Sequence, residues 1–364
     1  MPYPSKSMTA TACRNSSEPL PIQRQSRAHP QIGLGGMALI RGRINGRCKL
    51  ENGSWRQAAQ ATKYVVIGPS GWIGNALLSW LGKSIGEEWR SKTKCYGSSA
   101  RMIVGPDNQP LEVLALADLL QADLSGAVVF HLAYLTKEKA AELSDGEFFS
   151  RNQAIDQLVL DAITASMPKA IFVASSGAAA DAQSGKGRNL YGVTKLLQED
   201  RFLAYAAKSG LPTFVGRIFN IAGPYINKFD HYAVSSFAQQ AILSGQINVT
   251  ASIPVFRSFL GVIDLIELVT AELLTGAPDL VPIDLCGHEL LEMGQIAATV
   301  AHETAGLTKK PVVPIFRPKI DFSRTSSYFG DPRPALQLAL KHDISLMPFP
   351  VQVRETIAYM RTVL

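Results

Sequence analysis

The stretch "KYVVIGPSGWIGNALLSWLG", which begins at Lys63, constrains the fold more than any other segment. An apolar run from Tyr64 to Ile67 meets three glycines, Gly68, Gly71 and Gly74, and then a helix-like pattern of Ala76, Leu77, Leu78, Trp80 and Leu81. Strand, glycine turn and helix in this order create a tight turn, a backbone with no Cβ in the way of an anion, and a helix N-terminus whose free N–H groups face that anion. A dinucleotide pyrophosphate suits such a cradle. One glycine pattern alone is a weak signal, and it gains weight from the segments that follow.

Those segments alternate. Short apolar runs at Thr93 to Tyr96, Gly126 to Leu135, Lys169 to Gly177 and Pro212 to Asn220 read as strands. Helix-like stretches, notably Phe148 to Ile163 and Leu190 to Ala207, lie between them. The pattern predicts an α/β fold, a Rossmann-type doubly wound parallel sheet buried on both faces. Ligands of such sheets bind beyond the carboxyl ends of the strands, where Ser175 and Ser176 end one of the runs. The sequence shows no internal repeat.

The glycine spacing is GxxGxxG rather than GxGxxG. After the second strand, where a carboxylate would take the ribose hydroxyls of NAD, stands "GSSAR", with Ser98, Ser99 and Arg101. No acid occurs between Glu88 and Asp107. A guanidinium and hydroxyls suit a 2′-phosphate better than a bare ribose, so NADP is the expected cofactor and NAD the alternative. An ordinary solvated loop charge is the other reading of Arg101.

"YGVTK" then places Tyr191 and Lys195 four positions apart. On a helix these share a face, so an ammonium can sit beside a phenol. A free phenol has a pKa of about 10, too high for a good base near neutrality, and a neighbouring positive charge lowers it.

Composition narrows the setting. Hydrophobic residues make up 46% of the 364, yet no apolar run approaches the ~18 residues of a membrane span. The start has no continuous apolar segment of the secretory kind. Cys13, Cys48, Cys95 and Cys286 show no metal or disulfide spacing, so a reduced, cytoplasmic protein is expected. The net charge of +6 is carried by residues 1–62, whose nine Lys/Arg and two acids give +7 and leave −1 for the remainder. A basic leader on a near-neutral body is not a nucleic-acid footprint. Rich in Ser, Pro, Gln and Arg and lacking periodicity, residues 1–62 are expected to be a disordered extension. A flexible tail, an overextended translation start and an organellar transit peptide remain open for it.

Taken together, the motifs resemble the extended short-chain dehydrogenases/reductases, the group of NAD(P)-dependent nucleotide-sugar epimerases, dehydratases and reductases, over about residues 63–364. "IGPSGWIG" looks like the cofactor loop, "VFHLA" the fourth strand, "RNQAIDQLVLDA" the central helix, "VASSGA" the catalytic strand end and "YGVTK" the Tyr-x-x-x-Lys motif. "GRIFNIAGP", "FRSFLGVIDL" and "SRTSSYFGDP" match downstream segments. The resemblance implies that Tyr191 is the acid/base, Lys195 its charge partner, Ser176 the hydroxyl on the reacting oxygen and Asn152 an organiser of the central helix. It implies cofactor contacts from Gly68, Ser70, Gly71, Trp72, Ile73, Gly74, Ser98, Arg101, Leu132, Ala133 and Lys195. Substrate contacts are expected from Ser176, Asn220, Arg257 and Arg324, the arginines suiting a nucleotide diphosphate. Arg217 and His131 read as structural, an ion pair and a satisfied strand-end histidine.

Departures from the family pattern matter as well. Gly177 and Ala178 stand where the dehydratases carry Asp-Glu, and Ala178 stands where epimerase-reductases carry a Cys. Ala180 and Asp181 replace the usual Tyr-Gly. Dehydration is therefore disfavoured. A keto-sugar reductase is the leading expectation, an NAD-dependent nucleotide-sugar 4-epimerase the alternative, and a non-catalytic NADP sensor or scaffold the third reading. The resemblance further implies an NAD(P)-binding domain over 63–224, regaining about 255–290, a substrate lobe from 225–254 and 291–364, and a homodimer through the Tyr191 helix. No metal, nucleic acid or membrane partner is expected.

Overall fold

Apolar runs such as 64–67 and 127–130 have no polar side to turn toward water, so strands built from them need cover on both faces. A computed structural model of the chain describes residues 54–364 apart from 137, 139–141, 188 and 277, and in it both runs are buried. The first half contains α1 (Ser54–Ala61), β1 (Lys63–Ile67), α2 (Trp72–Ile85), a short α3 (Trp89–Lys92), β2 (Thr93–Gly97), β3 (Arg101–Val104), β4 (Pro110–Ala115), β5 (Ala127–His131), α4 (Asp145–Ala165), β6 (Ala170–Ser176), α5 (Gly177–Ser184), α6 (Leu190–Ser209) and β7 (Thr213–Ile218). There follow β8 (Asn220–Ala222), α7 (Ala233–Leu243), β9 (Ile247–Asn248), β10 (Val255–Arg257), β11 (Phe259–Gly261), α8 (Val262–Thr275), β12 (Ile283–Leu285), β13 (Leu291–Glu292), α9 (Met293–Thr308), β14 (Ile315–Phe316), β15 (Ser326–Tyr328), α10 (Arg333–Lys341) and α11 (Phe349–Val363).

Eight strands form the main sheet in the order β12-β7-β6-β5-β1-β2-β4-β3. Every neighbouring pair is parallel except the antiparallel β3 and β4. The chain leaves β1 toward β2 on one side and returns to β5 on the other, which opens a crevice at the carboxyl ends of β1 and β5. Residues alternate between two cores. Tyr64, Val66, Val128 and Phe130 join Leu77 and Leu81 of α2 and Leu265 and Val269 of α8, while Val65, Ile67 and Val129 join Val159 and Ile163 of α4 and Phe202 of α6. A slip of one residue would exchange the two faces, so this patterning fixes registers such as Val65 opposite Val129.

Three features differ from expectation. Residues 54–62, counted with the disordered extension, are structured: α1 carries a buried Trp55 that stacks on Trp80 at 6.3 Å and donates from Nε1 to the His342 carbonyl at 3.3 Å. Residues 1–53, with Cys13 and Cys48, lie outside the described residues. The second feature is the β3–β4 hairpin, which puts Arg101 at the start of a strand instead of in a loop. Arg90 ties its turn by pairing with Asp107 at 2.6 Å and donating to the Pro110 carbonyl at 2.9 Å. The third concerns the lobe boundaries. β10, expected with the large sheet, pairs instead with β13 and β15 in a separate sheet, while α10, expected with the substrate lobe, packs on β12 and α8. α7, α9 and α11 pack on one another.

Among the described residues no helix is long and apolar enough to cross a membrane. Cys95 and Cys286 are free and buried.

Candidate active site

The glycine loop closes on itself by steric necessity. Gly68 adopts φ +94, and a Cβ there would lie 3.0 Å from the Ala133 nitrogen, so strand β1 meets the Leu132–Ala133 backbone only because the side chain is absent. A Cβ on Gly74 would reach the Gly68 carbonyl at 2.3 Å. Gly71 differs, because a Cβ there would make only an ordinary contact with that carbonyl at 3.6 Å. α2 begins just beyond, with no side-chain cap and no acid in its first turn, so its N–H groups are free for an anion. These residues fit a dinucleotide pyrophosphate. Trp72, Ile73 and Leu132 line the cleft beside them.

At the end of β2, Ser98 and Ser99 are exposed, and Arg101 reaches back to the loop. Its Nη2 donates to the Ser70 hydroxyl at 3.0 Å and its Nη1 to the Ser99 carbonyl at 3.3 Å. Segment 224–232 covers the loop from above: Trp72 Nε1 donates to the Pro224 carbonyl at 2.8 Å, and its ring meets Tyr232 edge to face at 5.1 Å.

The strand and helix that carry the hydroxyl, phenol and amine meet at the same edge. β6 ends in Ser176, whose Oγ caps α5 by accepting from the Ala178 N–H at 3.2 Å. Asn189 caps α6 through the Gly192 N–H at 2.7 Å, which places Tyr191 in the first turn and Lys195 one turn on. The Ser176 hydroxyl neighbours the Tyr191 phenol; burial pushes that phenol up, and the Ser176 hydroxyl opposes the shift. Lys195 Nζ donates to the Ala174 carbonyl at 2.7 Å and to Gln198 Oε1 at 2.9 Å, and lies 3.6 Å from the Tyr134 ring centroid. Burial pulls this ammonium down to about 7, with Asp156 and Glu199 opposing. Asn152 is one step removed: Nδ2 donates to Phe148 at 3.1 Å and Oδ1 accepts from the Leu135 N–H at 2.8 Å, so it anchors the backbone after β5.

Arg217 forms a buried ion pair with Glu199 at 2.6 Å, as the sequence reading expects, whereas His131 is satisfied on one side only: Nε2 meets Asp156 at 3.0 Å and the buried Nδ1 has no partner among the described residues. The cleft that these elements border has a volume of about 990 Å³ and is lined by Ser176, Tyr191, Lys195, Asn220, Arg257 and Tyr328 among others. Arg257 sits 6.0 Å from the Tyr328 ring and donates to its neighbour's carbonyl, Phe256 O, at 2.8 Å; burial lowers its pKa. Asn220 donates to the Ser258 and Tyr328 carbonyls at 3.2 Å, joining β8 to the smaller sheet. Arg324 is not brought to the cleft. Its side chain is 72% exposed and lies 3.5 Å from Asp321 on the surface.

Sequence reasoning missed four residues here. Tyr328 neighbours Ser176, Tyr134 lies under Lys195, and Gln198 and Asp156 join at 2.6 Å behind it. The available signals were spacings: Gln198 three residues after Lys195, and Asp156 four after Asn152, each pair on one helix face. Phe219 is held by missing side chains, since a Cβ on Gly177 would lie 2.4 Å from its ring and one on Gly330 2.5 Å from it.

No curated protein sequence matches the chain. Among solved structures, UDP-N-acetylglucosamine 4-epimerase from Bacillus cereus is similar at 21% identity, covering 82% of this chain and 99% of that one, with a TM-score of 0.59. UDP-glucuronic acid 4-epimerase from the same organism, in a complex with a fluorinated UDP-sugar and NAD, is similar at 16% identity over 83% and 100%, with a TM-score of 0.62. UDP-N-acetylglucosamine 4-epimerase from Methanobrevibacter ruminantium is similar at 18% identity over 83% and 99%, with a TM-score of 0.61. At these identities the likeness shows the fold. The family model covers residues 64–280, more than half of the chain, from β1 to beyond α8, and so the chain belongs to the NAD dependent epimerase/dehydratase family.

Proposed function

We propose that this enzyme interconverts a carbonyl and an alcohol on a nucleotide-sugar, as a keto-sugar reductase that uses NADP. The observation that carries the reading is that Ser176, Tyr191 and Lys195 line one cleft, with the Lys195 ammonium held by the Ala174 carbonyl at 2.7 Å. A bound nicotinamide dinucleotide would supply the hydride. Tyr191 then gives its phenolic proton to the carbonyl oxygen, Ser176 hydrogen-bonds that same oxygen, and Lys195 lowers the cost of the phenolate left behind. Neither Gly177 nor Ala178 offers the carboxylate that loss of water would need.

Arg101 supports NADP, because its guanidinium bridges Ser70 of the glycine loop to the end of β2, where a ribose 2′-phosphate would lie. Arg257 supports a diphosphate-bearing substrate: it lines the cleft and is paired with no carboxylate among the described residues. The substrate lobe is proposed as 225–257 with 291–328 and α11, a revision that follows the β10–β13–β15 sheet. A homodimer through α6 draws support from Val193 and Leu197, which are 37% and 39% exposed on that helix.

A nucleotide-sugar 4-epimerase retaining NAD is the second reading, supported by the solved 4-epimerases of the same fold, one of them holding NAD. A sensor without catalysis is disfavoured by the assembled Ser176, Tyr191 and Lys195. Fluorescence titration with NADPH and NADH, with Arg101→Ala alongside, separates the readings. Preference for NADPH that weakens by about 10- to 100-fold in the variant supports the reductase, the range following from one charged hydrogen-bond partner. Preference for NADH, or NAD that co-purifies, gives the epimerase. Tyr191→Phe is then expected to remove turnover while leaving nucleotide binding in place.

A further inference from the structure

Lys195 is 3% exposed, yet both hydrogen-bond acceptors on its ammonium, the Ala174 carbonyl and Gln198 Oε1, are neutral. A buried cation needs a counter-charge. Two carboxylates face it. Glu199 is already engaged by Arg217, with contacts of 2.9 Å from Nε and 2.6 Å from Nη2, and by the Ser175 hydroxyl at 2.5 Å. Asp156 has no Lys or Arg partner among the described residues: its Oδ1 accepts from Gln198 Nε2 at 2.6 Å and meets His131 Nε2 at 3.0 Å. The buried Nδ1 of His131 has no partner among the described residues. The Gln198 amide therefore bonds the ammonium with its oxygen and the carboxylate with its nitrogen, its dipole aligned with both.

We infer that Asp156, acting through the Gln198 amide, is the counter-ion of Lys195 and a positioning residue for the Tyr191 chemistry. This inference rests on the catalytic reading given above. The titratable and charged groups around the amine are Asp156 on α4, His131 and Tyr134 from β5 and its end, Tyr191, Glu199 and Arg201 on α6 and Arg217 on β7. Only Asp156 and Glu199 favour the ammonium by charge, and Glu199 is neutralised locally. An indirect pair of this kind has a use. It leaves the ammonium its third N–H for the cleft, whereas a carboxylate in direct contact would compete for it.

The test is a pH titration of Lys195 by NMR of protein carrying 13C at the lysine ε-carbons, in the full chain, for wild type, Asp156→Asn and Gln198→Glu. Removing the charge is expected to lower the Lys195 midpoint by about one pH unit, and placing a carboxylate directly on it to raise the midpoint by about as much. A packing role for Asp156 alone leaves the Asp156→Asn midpoint in place. A midpoint unchanged within about 0.2 units in Asp156→Asn overturns the inference, at a resolution well below one charge-pair effect. Gln198→Glu shows only that the amine responds to a nearby charge, so Asp156→Ser stands in where Asp156→Asn does not fold. The basic limb of kcat/KM is expected to follow the midpoints, and a limb that stays in place while they move overturns the positioning role. A wild type that titrates as expected but turns over no substrate overturns the functional reading alone.

Discussion

The Lys195 ammonium lies 3.6 Å from the centroid of the Tyr134 ring, while the hydroxyl of that ring is buried with no hydrogen-bond partner among the described residues. The ring face holds the cation and the hydroxyl contributes nothing to it. Tyr134→Phe is expected to keep kcat within about twofold. Tyr134→Leu loses the cation–π term, about 2 kcal/mol when desolvated, and is expected to lower kcat about 30-fold. Steady-state rates of the two variants check this.

Arg257 and Arg324 share a sequence expectation, but only Arg257 reaches the cleft. Arg257→Ala is expected to raise KM for a nucleotide-sugar about 10- to 100-fold, as loss of a charged hydrogen-bond donor does. Arg324→Ala is expected to leave it within about twofold, as for an exposed pair. The comparison of the two KM values decides whether the cleft binds phosphate where proposed.

Arg317 hydrogen-bonds both oxygens of Glu292, at 2.7 and 2.8 Å, and holds that carboxyl at about 2, below its usual 4.5. A depressed pKa contributes stability that is present above 4.5 and lost as pH falls toward 2. Allowing for partial exposure, Glu292→Gln is expected to cost about 1–2 kcal/mol at pH 7. The difference from wild type should shrink as pH falls through that window, which urea unfolding at a series of pH values measures.

Trp55 is 3% exposed and stacked on Trp80. Trp55→Ala is expected to destabilise the fold by about 3–5 kcal/mol through the cavity it leaves. Chemical denaturation is the measurement, and nucleotide binding should survive where the protein stays folded.

What the sequence revealed depended on how local the cause was. β1, its glycine turn and α2 follow from residues within one stretch, as does the one-turn spacing of Tyr191 and Lys195. Trp55 was illegible because a single tryptophan in a polar leader gains its place only from Trp80 and the His342 carbonyl. The β3–β4 hairpin was likewise hidden: "RMIV" and "PLEVLA" take their pairing from an edge position in the sheet. Arg257 and Arg324 both matched a pattern, but motif order carries no information about which side chain a loop turns outward. Asp156 and Gln198 come together only when α4 and α6 pack side by side.

Phe219 fills a slot that exists because positions 177 and 330 carry only hydrogen. A carboxylate at position 177 would have to occupy space already taken by that ring and by the Tyr328 hydroxyl, so substitution there meets a wall before it meets substrate. An acid beside Ser176 therefore requires both the Phe219 ring and the Tyr328 hydroxyl to give way. The acid pair that water elimination uses would need substitution at both 177 and 178 in addition to space cleared at Phe219.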